Sequence, residues 1–302
     1  MENNKSSMTA LVSAFGRAYH SLYDDPKIFN DYLARELITD DEFTEISRYM
    51  SGGIKFFNPE KANDFSEAQD ALKWVIQTQI APTPLARARY CEEMLNNAIM
   101  IGAEQYVILG AGMDTFAYRN PDLRDKIQVF EVDHPATQQF KKSRIKMAGW
   151  DIPNNLHFVS VDFTTDNIAE ELKKAGFDYV KRTFFSWLGV TYYLTKENIL
   201  EILKLISSIS VKGSSIFFDY ADEDLFCSEV KRVQNLVAMA QTSGEPMKSC
   251  YSYGELEAVL EKAGLLIYEH LTPKDIECRY FQNRNDYLHA FENIDYALAV
   301  VK

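Results

Sequence analysis

The chain has 302 residues, 46% hydrophobic and 25% charged, an ordinary globular composition with enough apolar material for a full core. Its formal charge of -12, from 32 Lys+Arg against 44 Asp+Glu, repels phosphate backbones and anionic lipid headgroups, so neither nucleic acid nor a membrane surface is expected as a partner. Cys91, Cys227, Cys250 and Cys278 show no CxxC spacing and the histidines no HxxxH pairing, which argues against a disulfide framework and against any metal site and leaves the thiols as expected buried, free side chains.

Residues 1–10 are polar and lack the apolar core of a secretory signal, and no stretch approaches the ~20 apolar residues of a membrane span, so a cytoplasmic location is expected. Residues 1–101 read as an N-terminal helical cap of polar turns and helices, ahead of an α/β unit at 102–302. The clearest cap helix is expected to start at Ser66, capped with Gln69, and to end at Pro82 and Pro84. A second is expected to be capped by Thr83, with Leu85, Ala88, Cys91, Leu95 and Ala98 facing the core and Gly102 as its stop.

After Gly102 the period changes to short apolar runs, each followed by a helical segment, the pattern of βαβ units. Strands are predicted over 105–109, 127–132, 156–161, 182–188 and 214–219, with an amphipathic helix over 196–209. Right-handed crossovers make such a sheet parallel and place ligands beyond the carboxyl ends of its strands. A helix over 253–263, a strand over 265–271, a helical segment over 279–285 and a last strand over 296–301 suggest an antiparallel pair closing one edge.

The strongest chemical signal is the apolar run Tyr106-Val-Ile-Leu followed by Gly110-Ala111-Gly112, where glycine lets a ligand approach the backbone. Twenty-one residues beyond Gly112, the second strand ends in Glu131-Val-Asp133, which puts a carboxylate where a ribose diol lies in nicotinamide and S-adenosylmethionine sites. The third glycine that packs a helix beneath a pyrophosphate is Thr115 here, so a ligand without phosphates is favoured. The third strand ends in Val161-Asp162-Phe163, offering a carboxylate for an adenine amino group and a backbone N–H for a ring nitrogen. Trp187, Tyr192 and Tyr193 cluster after the fourth strand, where a transferred methyl group would point, and Tyr19 and Tyr23 are expected to close the site from the cap.

In combination, Leu-Gly-Ala-Gly-Met-Asp-Thr at 109–115, Glu-Val-Asp-His-Pro-Ala-Thr-Gln at 131–138, Val-Asp-Phe at 161–163 and Trp-Leu-Gly-Val-Thr-Tyr-Tyr-Leu-Thr at 187–195 resemble the leucine carboxyl methyltransferase family, including its bacterial polyketide O-methyltransferase-like branch. Arg17-Ala-Tyr-His20 and Ile28-Phe29 resemble the helical N-terminal element of that branch. The resemblance implies a class I methyltransferase fold: a doubly wound, Rossmann-like, mainly parallel seven-stranded sheet. It also implies S-adenosyl-L-methionine as cofactor, a small-molecule or peptide methyl acceptor, transfer to a carboxylate or hydroxyl oxygen, His134 within the cofactor site, and Arg87, after Ala86, on the cofactor's carboxylate. One departure is that many relatives carry an acidic residue after the fourth strand where this chain has Leu188-Gly189, so a contact to the cofactor's amino group is expected from backbone at Leu188.

Two other readings compete. Tyr192 and Lys196 satisfy the YxxxK spacing of an NAD(P)-dependent oxidoreductase, although Tyr192 follows a strand and position 179 is not serine. A non-catalytic nucleotide-binding protein of the same fold is the other, since Leu188 replaces a site acid. No His or acid is placed securely enough to name a catalytic base.

Overall fold

The structure is a computed structural model and describes residues 8–163 and 166–302; part of the polar N-terminal stretch, residues 1–7, lies outside the described residues. Seven strands form one sheet: β1 (Gln105–Leu109), β2 (Gln128–Asp133), β3 (Leu156–Ser160), β4 (Thr183–Trp187), β5 (Ser215–Ala221), β6 (Leu265–Leu271) and β7 (Ile294–Val301). Their order is β3-β2-β1-β4-β5-β7-β6. The first five are parallel, and β7 runs antiparallel between β5 and β6. Every residue of β1 and β4 is buried, as expected of central strands covered on both faces.

Ahead of the sheet lie α1 (Met8–Tyr23), α2 (Asp40–Gly52), α3 (Ile54–Phe57), α4 (Ala68–Val75) and α5 (Pro82–Met100). Within and after it lie α6 (Phe116–Arg119), α7 (Pro135–Met147), α8 (Ile168–Lys174), α9 (Lys196–Ser208), α10 (Lys231–Thr242), α11 (Tyr253–Lys262) and α12 (Pro273–Tyr280). Phe15, Trp74, Leu85 and Tyr90 of the N-terminal helices share one core with Tyr106, Phe184, Phe217 and Tyr296 of the sheet. The opposite sheet face packs against Leu172, Ile202 and Leu260 of α8, α9 and α11.

Several local expectations change. The helix at Ala68 has Glu67 at its N-cap with no side-chain cap, so the Ser66–Gln69 box does not form. A π-helical turn, Ile76–Ile80, carries α4 almost directly into α5, which starts at Pro82 rather than after Thr83. Both prolines fall in the first turn of α5, where their missing N–H groups are not needed. The expected helix at 279–285 is α12, shifted toward the N-terminus because Thr272 and Asp275 form a capping box ahead of Pro273. Of the cysteines only Cys91 is buried; Cys227 and Cys278 are exposed and Cys250 is intermediate. Among the described residues no helix is long and apolar enough to cross a membrane.

Candidate functional site

The strand order reverses between β1 and β4, and the crevice at their carboxyl ends is where ligands of such sheets bind. Gly110-Ala111-Gly112 leaves β1 and Leu188-Gly189 leaves β4, and the two turns touch. A Cβ on Gly110, whose φ is +71°, would meet Cγ2 of Val190 at 2.7 Å. Gly112, at φ +51°, faces Ala10 of α1, with 3.1 Å between its would-be Cβ and the alanine's. Glycine is therefore required here by backbone sign and by space together.

Asp133 closes β2 beneath this turn. One carboxylate oxygen accepts from the Gly112 N–H and the other from the His134 N–H at 2.7 Å. Burial pushes its pKa up, while those two N–H groups hold it back. Glu131 lies on the same strand face but deeper; it is fully buried and bonded to the buried ammonium of Lys141. Its Oε2 is therefore committed to Lys141 inside the core, while its buried Oε1 has no partner among the described residues.

His134 caps α7 by accepting from the Ala136 N–H at 3.3 Å, and its Nε2 lies 3.9 Å from Asp162. Asp162 follows β3 and is partly exposed, with its backbone N–H bonded to Asp166 at 2.8 Å; Phe163 packs on the core of the far sheet face. Both sit past the carboxyl end of a strand adjoining β2.

Arg87 projects from α5 onto the loop after β4. Its Nη1 donates to Asp219 at 2.8 Å and to the Tyr192 hydroxyl at 3.1 Å. The guanidinium lies flat on Gly189, whose φ is +74°: a Cβ there would be 2.5 Å from Nη2. Burial works against the arginine's charge, and Asp219 more than offsets it, so its pKa is raised. Arg89, two positions on, points outward to Glu93 at 2.6 Å. Leu188 packs against the core shared with the N-terminal helices and presents no charge.

Tyr192 and Tyr193 follow in a short 3-10 turn, their rings 4.8 Å apart and T-shaped. Tyr192 is buried and Tyr193 partly so. The expected companions do not join them. Trp187 is fully buried in the core of the far sheet face, because strand alternation turns it away. Tyr19 sits about 200° around α1 from Arg17, in the core beside Phe15, and meets the ring of Tyr23, which is 56% exposed, at a tilt of 54°. Neither tyrosine of α1 is brought to the glycine turn, because Ala10 and Arg17 face that way instead.

Three residues not expected at the site from the sequence hold it together. Arg17 donates to the Met113 carbonyl at 2.8 Å and to Asp31 at 2.8 Å, tying α1 to the end of the glycine turn. Asp31 is buried and also accepts from the Thr115 hydroxyl at 2.5 Å; burial would raise its pKa, but Arg17 and Arg119 pull it below the ordinary value. Thr115, at the position where a pyrophosphate site has its third glycine, is thus an anchor for the N-terminal helices. The third is Asp219, wholly buried in β5, which accepts from the Gly189 N–H at 2.7 Å as well as from Arg87. An acid inside the apolar run Ile-Phe-Phe-Asp-Tyr was the available signal.

These residues suit a cofactor with an adenosine and a zwitterionic tail: a carboxylate at the end of β2, glycines that leave room at the turn, and an arginine edge beside Gly189. The oxidoreductase reading fails on geometry, since Tyr192 bonds to Arg87 and Lys196 starts α9, where it pairs with Glu255 at 3.1 Å.

Comparison with known proteins agrees. The model of leucine carboxyl methyltransferases matches residues 10–207. The chain is 53% identical over 305 residues, covering 100% of both sequences, to YktD of Bacillus subtilis strain 168, whose name assigns it to the S-adenosyl-L-methionine-dependent methyltransferases. It is 30% identical over 222 residues to Rv3399 of Mycobacterium tuberculosis H37Rv, named for the same activity, spanning 72% of this chain and 60% of that one. In fold it is similar to a DUF574 family protein of Streptomyces avermitilis, with a TM-score of 0.56 at 13% identity over 96% of this chain and 97% of the other. The chain is thus an enzyme that uses S-adenosyl-L-methionine to methylate an acceptor, and it belongs to the leucine carboxyl methyltransferase family.

Proposed function

We propose that the enzyme is an O-methyltransferase whose acceptor is a carboxylate or hydroxyl oxygen of a small molecule or a protein C-terminus. The observation that carries this reading is the state of the hydroxyls beside Arg87. Burial pushes the Tyr192 phenol well above its ordinary pKa, and pushes Tyr193 up to about 12, with Glu245 adding to the effect. Neither tyrosine is suited to take a proton at neutral pH. An acceptor that arrives already ionised needs no base, which favours a carboxylate over an alcohol.

In this reading Arg87, Gly110, Ala111, Gly112, Asp133, His134, Asp162, Phe163 and the Leu188 backbone hold the cofactor, and Tyr192 and Tyr193 border the acceptor. Residues 1–101 act as a cap over the catalytic unit at 102–302. When bound, the cofactor supplies a sulfonium methyl group as electrophile. The protein's share is to align the acceptor oxygen, strip it of water and keep water out, work for which buried tyrosines and a covering helix are suited.

The test is methyl transfer from tritiated S-adenosylmethionine to small carboxylic acids, phenols and peptides with a free C-terminus. An ester gives its label up as methanol in mild base, whereas an ether retains it. Label on a base-labile ester is the expected result; label only on nitrogen or carbon overturns the reading.

A further inference from the structure

The family resemblance leads one to expect an acid directly after β4, and this chain has Leu188 there. A carboxylate nevertheless reaches that loop from the neighbouring strand. Asp219 of β5 is wholly buried, accepts from the Gly189 N–H at 2.7 Å with one oxygen and from Arg87 Nη1 at 2.8 Å with the other. Its own carbonyl accepts from the Thr191 hydroxyl at 2.6 Å. Three points of the loop, Gly189, Thr191 and the Tyr192 hydroxyl on Arg87, are thus gathered around one aspartate and one arginine.

The arginine is only half used. Nη1 is satisfied twice, whereas among the described residues neither Nε nor Nη2 has an acceptor. Nε and Nη2 form the side-on edge of a guanidinium, the edge that grips a carboxylate with parallel hydrogen bonds. The absence of a Cβ at Gly189 lets that edge lie against the backbone after β4. A long side chain that had to find this pose on each encounter would lose much of its binding energy to ordering; one held in advance does not.

We propose that Asp219 is the positioning residue for Arg87, fixing the guanidinium against Gly189 so that its Nε–Nη2 edge is presented to the carboxylate of the cofactor's amino-acid tail. This rests on the reading that Arg87 meets that carboxylate. Asp219 touches no reacting atom; it acts through the arginine and through the loop it holds. Asparagine at 219 keeps the size but can accept with only one of its two terminal atoms, so either Arg87 or Gly189 loses its partner.

The experiment compares two ligands by calorimetry on the full chain: S-adenosylhomocysteine, which carries the amino-acid tail, and 5′-methylthioadenosine, which lacks it. Asp219→Asn is expected to weaken S-adenosylhomocysteine binding about tenfold and to leave methylthioadenosine unchanged. A merely structural role would weaken both ligands alike, and that result, or no loss for either, overturns the proposal. Arg87→Met serves as the reference and is expected to show the same split more strongly. If Arg87→Met discriminates and Asp219→Asn does not, the role of Asp219 falls while that of Arg87 stands; if Arg87→Met fails to discriminate, both fall. Should Asp219→Asn not fold, Asp219→Ser decides: it removes the charge and the second acceptor opposite Arg87 with little added bulk. It is expected to lose S-adenosylhomocysteine selectively, and equal losses for both ligands, or wild-type affinity for both, overturn the proposal.

Discussion

Gly189 and Arg87 are packed face to face: a Cβ added at 189 would lie 2.5 Å from Nη2, 2.7 Å from Nη1 and 2.8 Å from Cζ, so the guanidinium would have to move to admit it. The backbone there is left-handed as well, at φ +74°. Gly189→Ala therefore carries two penalties, about 1–2 kcal/mol for the backbone and the displacement of the guanidinium. The expected outcome is a lowered melting temperature together with a loss of S-adenosylhomocysteine affinity of more than about tenfold. A variant that melts earlier yet binds as the wild type does would separate Arg87 from the cofactor.

Of the two arginines near one another on α5, only Arg87 turns inward; Arg89 is about half exposed and pairs with Glu93 along the helix. An exposed ion pair contributes ~0–1 kcal/mol, whereas removing a guanidinium that meets a buried carboxylate costs about 2–4 kcal/mol. Arg87→Ala is expected to lose cofactor affinity on that larger scale and Arg89→Ala to change it by well under ~1 kcal/mol. Equal losses in calorimetry contradict the assignment.

How far the sequence carries the argument depends on the range of the interaction. The central strands are legible because β1 and β4 are largely apolar, and the glycine turn and Asp133 because they lie within one β1–α6–β2 unit. The second cap helix starts at Pro82 rather than after Thr83 because a π-helical turn keeps Ile76–Ile80 wound, whereas the first starts at Ala68 with Glu67, not Ser66, at its N-cap. Asp219 could be noticed as an acid in an apolar strand, but its partner lies 132 residues earlier, and no periodicity connects them. Tyr19 and Tyr23 are expected near the site from residue type alone; on α1 it is Ala10 and Arg17 that meet the glycine turn, and Tyr19 packs beside Phe15 instead.

α1 rests on the glycine turn through Ala10 against Gly112 and through Arg17 on the Met113 carbonyl. A helix that covers the turn has to respond when the site fills. Hydrogen exchange across α1 is expected to slow on adding S-adenosylhomocysteine, and Arg17→Ala is expected to reduce that protection and to cost about 1 kcal/mol of affinity. Protection confined to the residues around Gly110 and Asp133 would leave α1 a fixed part of the wall.

Asp295, at the start of β7, gives the fold an unusual pH response. It lies 3.9 Å from His270 Nε2, with Tyr220 between the strands and one carboxylate oxygen without a partner among the described residues. Burial and the charge of Asp222 push it up to about 7, against the hydrogen bond from Tyr220. An aspartate in the unfolded chain titrates near ~3.9, so between roughly pH 4 and 7 the folded state holds a proton that the unfolded state has released. That stability is fully present below the unfolded value and is lost as pH rises through the folded one. Urea denaturation should show stability falling by about 2–4 kcal/mol across this window from this group, and Asp295→Asn should flatten the fall. An unchanged slope in the variant assigns it to another residue.

The ribose assignment turns on Asp133 and Glu131, which alternation places on one face of β2. Asp133 is the last residue of the strand, half-buried, and each of its oxygens takes one backbone N–H, from Gly112 and His134, leaving a further lone pair for a diol. Those two N–H groups also fix the carboxylate's orientation before any ligand arrives, which lowers the entropy cost of meeting two hydroxyls. Glu131, two residues deeper, is 1% exposed and committed to Lys141. Asp133→Asn should therefore weaken S-adenosylhomocysteine by about 1–3 kcal/mol with the fold intact, because the amide keeps the size but replaces an acceptor with a donor facing the backbone. Glu131→Gln should do the reverse: affinity held within a few tenths of a kcal/mol, and stability lowered by about 2–4 kcal/mol because the Lys141 ammonium stays buried without its counter-charge. The two variants, each carried through calorimetry and urea denaturation, thus separate binding from folding. An affinity loss carried by Glu131→Gln alone would place the ribose one turn of the pleat deeper, inside what the structure shows as packed core.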